Sequence, residues 1–507
     1  MRLLKNTLFS KQIQRQTNLL CAAFFLGIRK NDIYPVPMLS LRHLRTVVGS
    51  ILLALPFLCF AAPPNLVFLF PDEWRAQAFG YAGDPNVHTP HLDQLQKESV
   101  HCVNAVSAVP VCCPMRATLL TGQRPLTHGV FMNDVPLNPE AVTLGKVFKQ
   151  AGYATAYIGK WHVDGHGRSN FIPKERRQGF EYWKVLECTH NYNKSFYYAD
   201  GPEKLTWEGY DAIAQTRDAQ QYLKASAKMN QPFLLVLSWG PPHDPYQTAP
   251  EKYRAMYRTE QLKLRPNVPE EMQAKARTNL LGYYSHCTAL DDCVGDIWST
   301  LKELGLEENT ILVFTSDHGD LLQSHAQSFK QQPYDESIRV PLLIHWPKAL
   351  GRQLKQLDAP VNSEDLMPTL LGLCGLAIPK TVEGLDYSGY VRGGKNPGDN
   401  AALISCVAPF GQWNRNKGGV EYRGIRTTCY TYVRNLDGPW LLFDNELDPY
   451  QLKNLVNLPE QTALQAQLEA TLQRKLRETK DDFRPGDDYI KQWKYPLDRT
   501  GTVPYAP

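Results

Sequence analysis

The chain predicts a doubly wound α/β fold, a large and mostly parallel sheet domain followed by a smaller C-terminal domain of antiparallel sheet plus helix. Three observations carry this. Continuous apolar runs of strand length recur at residues 65–70, 233–238, 311–315 and 340–345, the pattern of strands covered on both faces. Helical stretches separate them, as crossovers between parallel strands require. From about residue 400 the pattern changes to short, closely spaced strands, and the two domains are drawn as 62–395 and 396–507.

Taken in order, residues 65–70 form the first strand and run into Pro71-Asp72-Glu73. Thr89-Pro90 starts a helix over 91–99, with Leu92 and Leu95 on its buried face; proline lacks the N–H that a first helical turn leaves unbonded. Pro114 and Gly122 bracket the next helix, which places Cys112 at its N-terminus, where free N–H groups and the helix dipole favour an anion. A helix over 143–151, closed by Gly152, leads to a short strand at 154–158 that ends in Gly159-Lys160-Trp161-His162. Residues 163–210, rich in Gly, Asn, Tyr and charge with little periodicity, read as long loops on the open side of the sheet. A helix over 207–226, the strand 233–238, a long helix over 278–304 and the strands 311–315 and 340–345 complete the larger domain. In the smaller one, strands at 402–406, 424–428, 430–435 and 440–443 precede a helix over 460–479.

The N-terminus stands apart. Residues 1–37 show no organisation, as a leader or a mis-assigned start would. Residues 38–61 read as a secretory signal: Met38, then Arg42, His43 and Arg45, an apolar run over 47–60, and Ala61 at the cut. An exported protein, periplasmic or extracellular, is expected, with no stable membrane span because that run is too short. The first 45 residues carry a surplus of +7 against +4 for the whole chain, leaving about −3 for the rest. No nucleic-acid partner is implied. Nine of the eleven cysteines follow the leader, and an exported location permits disulfides whose pairing the sequence does not assign.

Four strands end in polar clusters: Asp72/Glu73, Lys160/His162, His243/Asp244 and Asp317/His318. Ligands bind beyond the carboxyl ends of strands in doubly wound sheets, so one cleft is expected to hold all four. Asp72, Glu73 and Asp317 offer hard oxygen donors and, with His318 and the Cys112 position, suit one divalent cation such as calcium or magnesium. An acidic pair after a strand is ordinarily a solvated turn; a second such cluster, Ser316-Asp317-His318-Gly319, argues for the ion.

Cys112-x-Pro114-x-Arg116 with Leu119, Thr121 and Gly122, then Gly152-Tyr153 with Gly159-Lys160-Trp161-His162, Gly240-Pro241-Pro242-His243, Asp317-His318 and Lys330 resemble, in order, the motifs of the type I sulfatases. These belong to the alkaline phosphatase superfamily, and the resemblance spans roughly residues 64–456. Met115 stands where the family usually has Ser or Ala, and Glu73 where it has Asp. The resemblance implies that a formylglycine-generating maturation enzyme oxidises Cys112 to formylglycine, whose hydrate is the nucleophile. It implies one calcium ion per chain, magnesium less so, on Asp72, Glu73, residue 112, Asp317 and His318. Arg116, Lys160, Lys330 and the cation would then stabilise the sulfuryl oxygens, Asp317 would take the nucleophile's proton, His243 would protonate the departing alcohol, and His162 would help expel sulfate.

In the loops, His166, Arg177 and His190, and after the metal cluster His325, are candidate substrate contacts, with Arg168 and Arg176 as further cations for extra sulfate or carboxylate groups. Export and aromatic-rich loops favour a sulfated polysaccharide or its oligosaccharides. Two alternatives stand beside this reading: a phosphonate monoester or phosphodiester hydrolase of the same superfamily, and a non-catalytic glycan-binding relative with unmodified Cys112.

Overall fold

The structure, a computed structural model, describes residues 62–499 and 501–506. The leader and signal readings of residues 1–37 and 38–61 lie outside the described residues. In chain order the elements that position the site are β1 (Asn65–Leu69), α1 (Pro90–Lys97), β2 (Val100–Cys102), α2 (Cys112–Thr121), α3 (Leu144–Gln150), β3 (Ala154–Lys160), β4 (Tyr182–Leu186), α4 (Asp211–Ser226), β5 (Phe233–Ser238) and α5 (Gln273–Glu303). There follow β6 (Thr310–Thr315), β7 (Leu342–His345), β8 (Lys355–Leu357), α6 (Ser363–Leu373), β9 (Ala401–Cys406), β10 (Tyr422–Thr427), β11 (Tyr430–Asn435), β12 (Gly438–Asp444), α7 (Thr462–Glu478) and α8 (Gly486–Trp493).

Eight strands form one sheet in the order β8-β2-β7-β6-β1-β5-β3-β4. Its pairings are parallel except those that β7 makes with β6 and β2. Alternate residues of β1 show why the sheet is covered on both sides. Leu66 and Phe68 join a core cluster with α2 and α6, whereas Val67 and Leu69 join one with α4 and α5. A continuous apolar run is what such a strand needs.

The second sheet is an antiparallel meander, β9-β10-β11-β12. Leu468, Leu472 and Leu476, one helical turn apart on α7, pack on Ile425, Tyr432 and Leu442 of this sheet. The fold class read from the sequence therefore holds, large mostly parallel sheet and small antiparallel sheet alike.

The differences have local causes. β4 lies inside the stretch read as loop; it is an edge strand that buries Trp183, Val185 and Leu186 while Tyr182 and Lys184 stay half-buried. Five residues with a polar face carry little periodic signal. β2 and β8 have three residues each, too few for alternation to register. α6 carries Pro368 in its interior, which masks it, although Asn362 and Asp365 form a capping box at its start. No helix among the described residues is long and apolar enough to cross a membrane, and the nine cysteines among them are free thiols.

Candidate active site

The site is assembled at the start of α2. Val111 precedes it with extended backbone, Cys112 is the first helical residue, Pro114 sits in the first turn without an N–H to leave unbonded, and Gly122 ends the helix in the left-handed conformation at φ 63°. All ten residues of α2 are buried, so Cys112 is presented from a rigid element. Its Sγ lies 3.2 Å from His318 Nε2 and 3.6 Å from Asp72 Oδ1. Burial opposes ionisation of the thiol, yet Lys160, Lys330 and His318 around it hold its pKa well below the ordinary value.

Asp72, Cys112, Asp317 and His318 bring one ligand atom each within 4.8 Å of one another, all of them buried. Two charged carboxylates at such depth need compensation. Arg116 supplies it: Nη2 lies 3.2 Å from Asp72 Oδ2 and 3.0 Å from Asp317 Oδ2, and Nε donates to the latter at 3.1 Å. Its Nη1 donates to the Lys160 carbonyl at 3.0 Å and to Ser238 Oγ at 2.8 Å. Those acceptors meet because β3 and β5 approach closely at Gly159, where any Cβ would stand 2.0 Å from the Ser238 carbonyl oxygen. Arg116, expected on the sulfuryl oxygens, thus fastens the acidic pair to the strand ends. Lys160 Nζ also contacts Asp72 Oδ2. Burial and Cys112 push the Asp72 carboxyl up, but Lys160, His243 and Arg116 outweigh them and hold it well below the usual range.

This donor set fits a hard divalent cation. The Oδ2 atoms are held by Arg116, while Oδ1 of Asp72 and of Asp317 lie 3.6 and 3.7 Å from His318 Nε2. His318 Nδ1 is 2.9 Å from the Gly319 carbonyl and donates to it, which orients Nε2 toward the carboxylates in the manner of a metal-binding imidazole. Burial lowers the His318 pKa, yet Asp317 and Cys112 bring it up to about 8, the mark of a place that favours positive charge.

Glu73 lies differently. With φ 70°, it sends its N–H to Asp317 Oδ1 at 2.9 Å, while its Oε2 stands 3.2 Å from His243 Nε2 and 3.3 Å from Lys330 Nζ. It groups with Asp72 and His243 rather than in the four-residue cluster. Its Oε1 is buried without a hydrogen-bond partner among the described residues, and burial pushes the carboxyl up to about 8 against the pull of His243 and Lys330. Lys330 Nζ is 2.7 Å from His243 Nε2, and His243 Nδ1 is 3.0 Å from Asp244 Oδ1. Despite burial and Lys330, Glu73 and Asp244 hold the His243 pKa well above its ordinary value.

The cleft is a cavity of 140 Å³ reached by Cys112, Lys160, His162, His190, His243 and Lys330. His190 stacks on His243 with ring centroids 4.9 Å apart. Arg177 is buried instead, its Nε and Nη2 donating to the carbonyls of Ile172 and Ala199 at 3.0 and 2.9 Å. His166 lies 2.6 Å from the Asp164 carbonyl through Nδ1, and His325 stacks on Tyr334 at 3.9 Å and faces Asn267 at 3.0 Å; neither lines the cavity. Several lining residues carried no sequence signal. Asn133 and Asp134 form an ordinary polar pair after an apolar run, and Phe410, Gly411, Gln412 and Thr502 come from far downstream. Asp134 Oδ1 lies 3.4 Å from His162 Nε2.

Comparison with known proteins agrees with this constellation. Residues 64–376 match the Sulfatase family model, and residues 325–478 match that of the C-terminal part of N-sulphoglucosamine sulphohydrolase. An ulvan-active sulfatase of Formosa agariphila is 48% identical over 446 residues, 87% of each chain. An endo-4-O-sulfatase of Bacteroides thetaiotaomicron is 30% identical, covering 83% of this chain and 94% of its own. A solved structure from work on the metabolism of multiple glycosaminoglycans by Bacteroides thetaiotaomicron superposes with a TM-score of 0.77 at 29% identity, covering 85% of this chain and 99% of its own. With a motif-bearing helix start, two acidic strand ends and a family match over most of its described length, this chain belongs to the sulfatase family and is a sulfuric ester hydrolase.

Proposed function

We propose that this sulfatase is exported and hydrolyses sulfate esters on a sulfated polysaccharide or oligosaccharide, using a formylglycine made from Cys112 and a divalent cation, calcium before magnesium. The observation that carries the reading is the convergence of Cys112 with Asp72, Asp317 and His318 within 4.8 Å at a buried helix start. The glycan substrate is supported by the relatives, which are named for activity on ulvan and as an endo-4-O-sulfatase.

Asp72, Asp317 and His318, with residue 112, would hold the cation, which would polarise a sulfuryl oxygen and acidify a hydroxyl beside it. Formylglycine, as its hydrate, would supply a nucleophilic hydroxyl and a second one able to release sulfate. The chain's own groups then have separate tasks. Arg116 holds Asp72 and Asp317 in place, so the acidic pair does not reorganise as charge moves. Lys160 and Lys330 line the cavity with Cys112 and would present ammonium groups to a tetrahedral anion. His243, flanked by Glu73 and Asp244, stands at the cavity wall and would give a proton to the departing alcohol. His162, backed by Asp134, also lines the cavity and would assist release of sulfate.

Mass spectrometry of the tryptic peptide spanning residue 112, from protein produced with a maturation enzyme, tests the reading together with assays on matched aryl sulfate and aryl phosphonate esters. Conversion of the thiol to an aldehyde and preference for the sulfate ester are expected. Unmodified Cys112 in an active protein would overturn the mechanism, and preference for the phosphonate would overturn the substrate class.

A further inference from the structure

The last described segment, beyond α8, folds back over the cleft. The Tyr495 hydroxyl donates to the Gly129 carbonyl at 2.9 Å, and its ring lies 5.4 Å from that of Phe131. Val503 is buried in the core cluster of α2, and the Ala506 N–H donates to the Gly165 carbonyl at 2.8 Å. These anchors set Tyr505 beside the site. Its hydroxyl donates to Asp134 Oδ1 at 2.8 Å and accepts from Arg168 Nε at 2.6 Å. Since Asp134 also backs His162 at 3.4 Å, one phenol links the carboxylate behind a candidate catalytic histidine to a cation at the cavity wall.

Of the loop cations expected to meet extra anions, Arg176 pairs with Asp164 at 2.7 Å and Arg177 is buried against carbonyls, whereas Arg168 lines the cavity with its side chain 43% exposed. The Tyr505 bond engages Nε, so the paired Nη groups, with Nη2 3.9 Å from Asp134 Oδ2, form the edge that can meet a ligand. A guanidinium held by Nε offers that edge as a planar fork, matched to the two oxygens of a carboxylate or sulfate.

We propose that Arg168, oriented by Tyr505 of the C-terminal tail, is a subsite for a second anionic group of the substrate, a carboxylate or a further sulfate close to the ester that is cleaved. The subsite rests on the sulfate-ester reading above. Arg168 touches the substrate; Tyr505 is a positioning residue that acts through it.

The test measures kcat and KM of the full chain on three oligosaccharides that share the scissile sulfate: one with a neighbouring uronate, one with that carboxylate reduced to an alcohol, and one with a second sulfate in its place. The wild type is expected to favour at least one anionic probe over the alcohol by about 10-fold or more in kcat/KM, the scale of a charge-assisted hydrogen bond. Which anion is favoured tells carboxylate from sulfate. Arg168→Ala should remove that ratio through KM, Arg168→Lys should restore part of it, and Tyr505→Phe should lower it with little change in Tm. A ratio that survives Arg168→Ala overturns the subsite. A ratio untouched in Tyr505→Phe overturns the tail's part in it. If the wild type releases sulfate from none of these probes nor from an aryl sulfate, the underlying reading fails; release without anion preference sinks the subsite alone.

Discussion

Both the cleft end of the large sheet and the small C-terminal sheet bury charge, but they resolve it in opposite ways. In the C-terminal region Arg423 pairs with Asp481 through Nε and Nη2, the guanidinium facing one carboxylate that answers its fork. In the cleft Asp72 is shared between Arg116 and Lys160, Lys330 stands 2.7 Å from His243, and Glu73 is pushed up to about 8. Closed pairs leave nothing for a ligand to do. Shared and like-charged neighbours leave a deficit that a cation among the carboxylates, and an anion among the ammonium groups, would complete.

The sharpest break of this contrast is Cys112→Ala. It should lower sulfate release by about 10⁴-fold or more, since a nucleophile lost from a concerted site is seldom replaced. Thermal unfolding should change little, because only one buried sulfur atom is removed. Normal turnover in this variant would end the assignment of residue 112. Next in size, removal of divalent ions with a chelator should cost several kcal/mol of transition-state stabilisation, about 10³-fold in rate. Calcium should restore it, and titration followed by calorimetry should give one site per chain.

His243→Ala should cost about 10²–10³-fold on alkyl or sugar sulfates and clearly less on an activated aryl sulfate, whose alcohol leaves without a proton. Equal losses on both classes would remove His243 as the acid. In the other region, Arg423→Ala should strand the largely buried carboxylate of Asp481 and lower unfolding stability by about 3 kcal/mol. The kcat of the folded fraction should hold. Denaturant melts paired with active-site titration would tell these apart.

A last effect concerns a buried acid that belongs to neither group. Asp211 is 1% exposed at the start of α4, and burial raises its carboxyl to about 8 despite help from Ser195. Folding therefore takes up a proton there, so its contribution is present below the ordinary carboxylate pKa of 3.8 and is lost as pH rises toward about 8. Asp211→Asn should flatten the decline of Tm between those limits; an unchanged slope would assign the decline to other groups.

Local patterning already contained the elements that matter most. The apolar runs that became β1, β5 and β6, the Pro114 and Gly122 brackets of α2, and the four polar strand ends are all short-range features, set by burial on both faces and by backbone chemistry at helix ends. From them one could read the fold class and the residues that meet at the cleft. Only the tertiary structure determined what each of those residues faces. It turned Arg116 inward onto Asp72 and Asp317, carried the Glu73 carboxylate to His243 and Lys330, buried Arg177 against carbonyls, and brought Tyr505 to Asp134 and Arg168, more than three hundred positions earlier. Those outcomes depend on which distant charges share one desolvated space, and no local pattern encodes that distance.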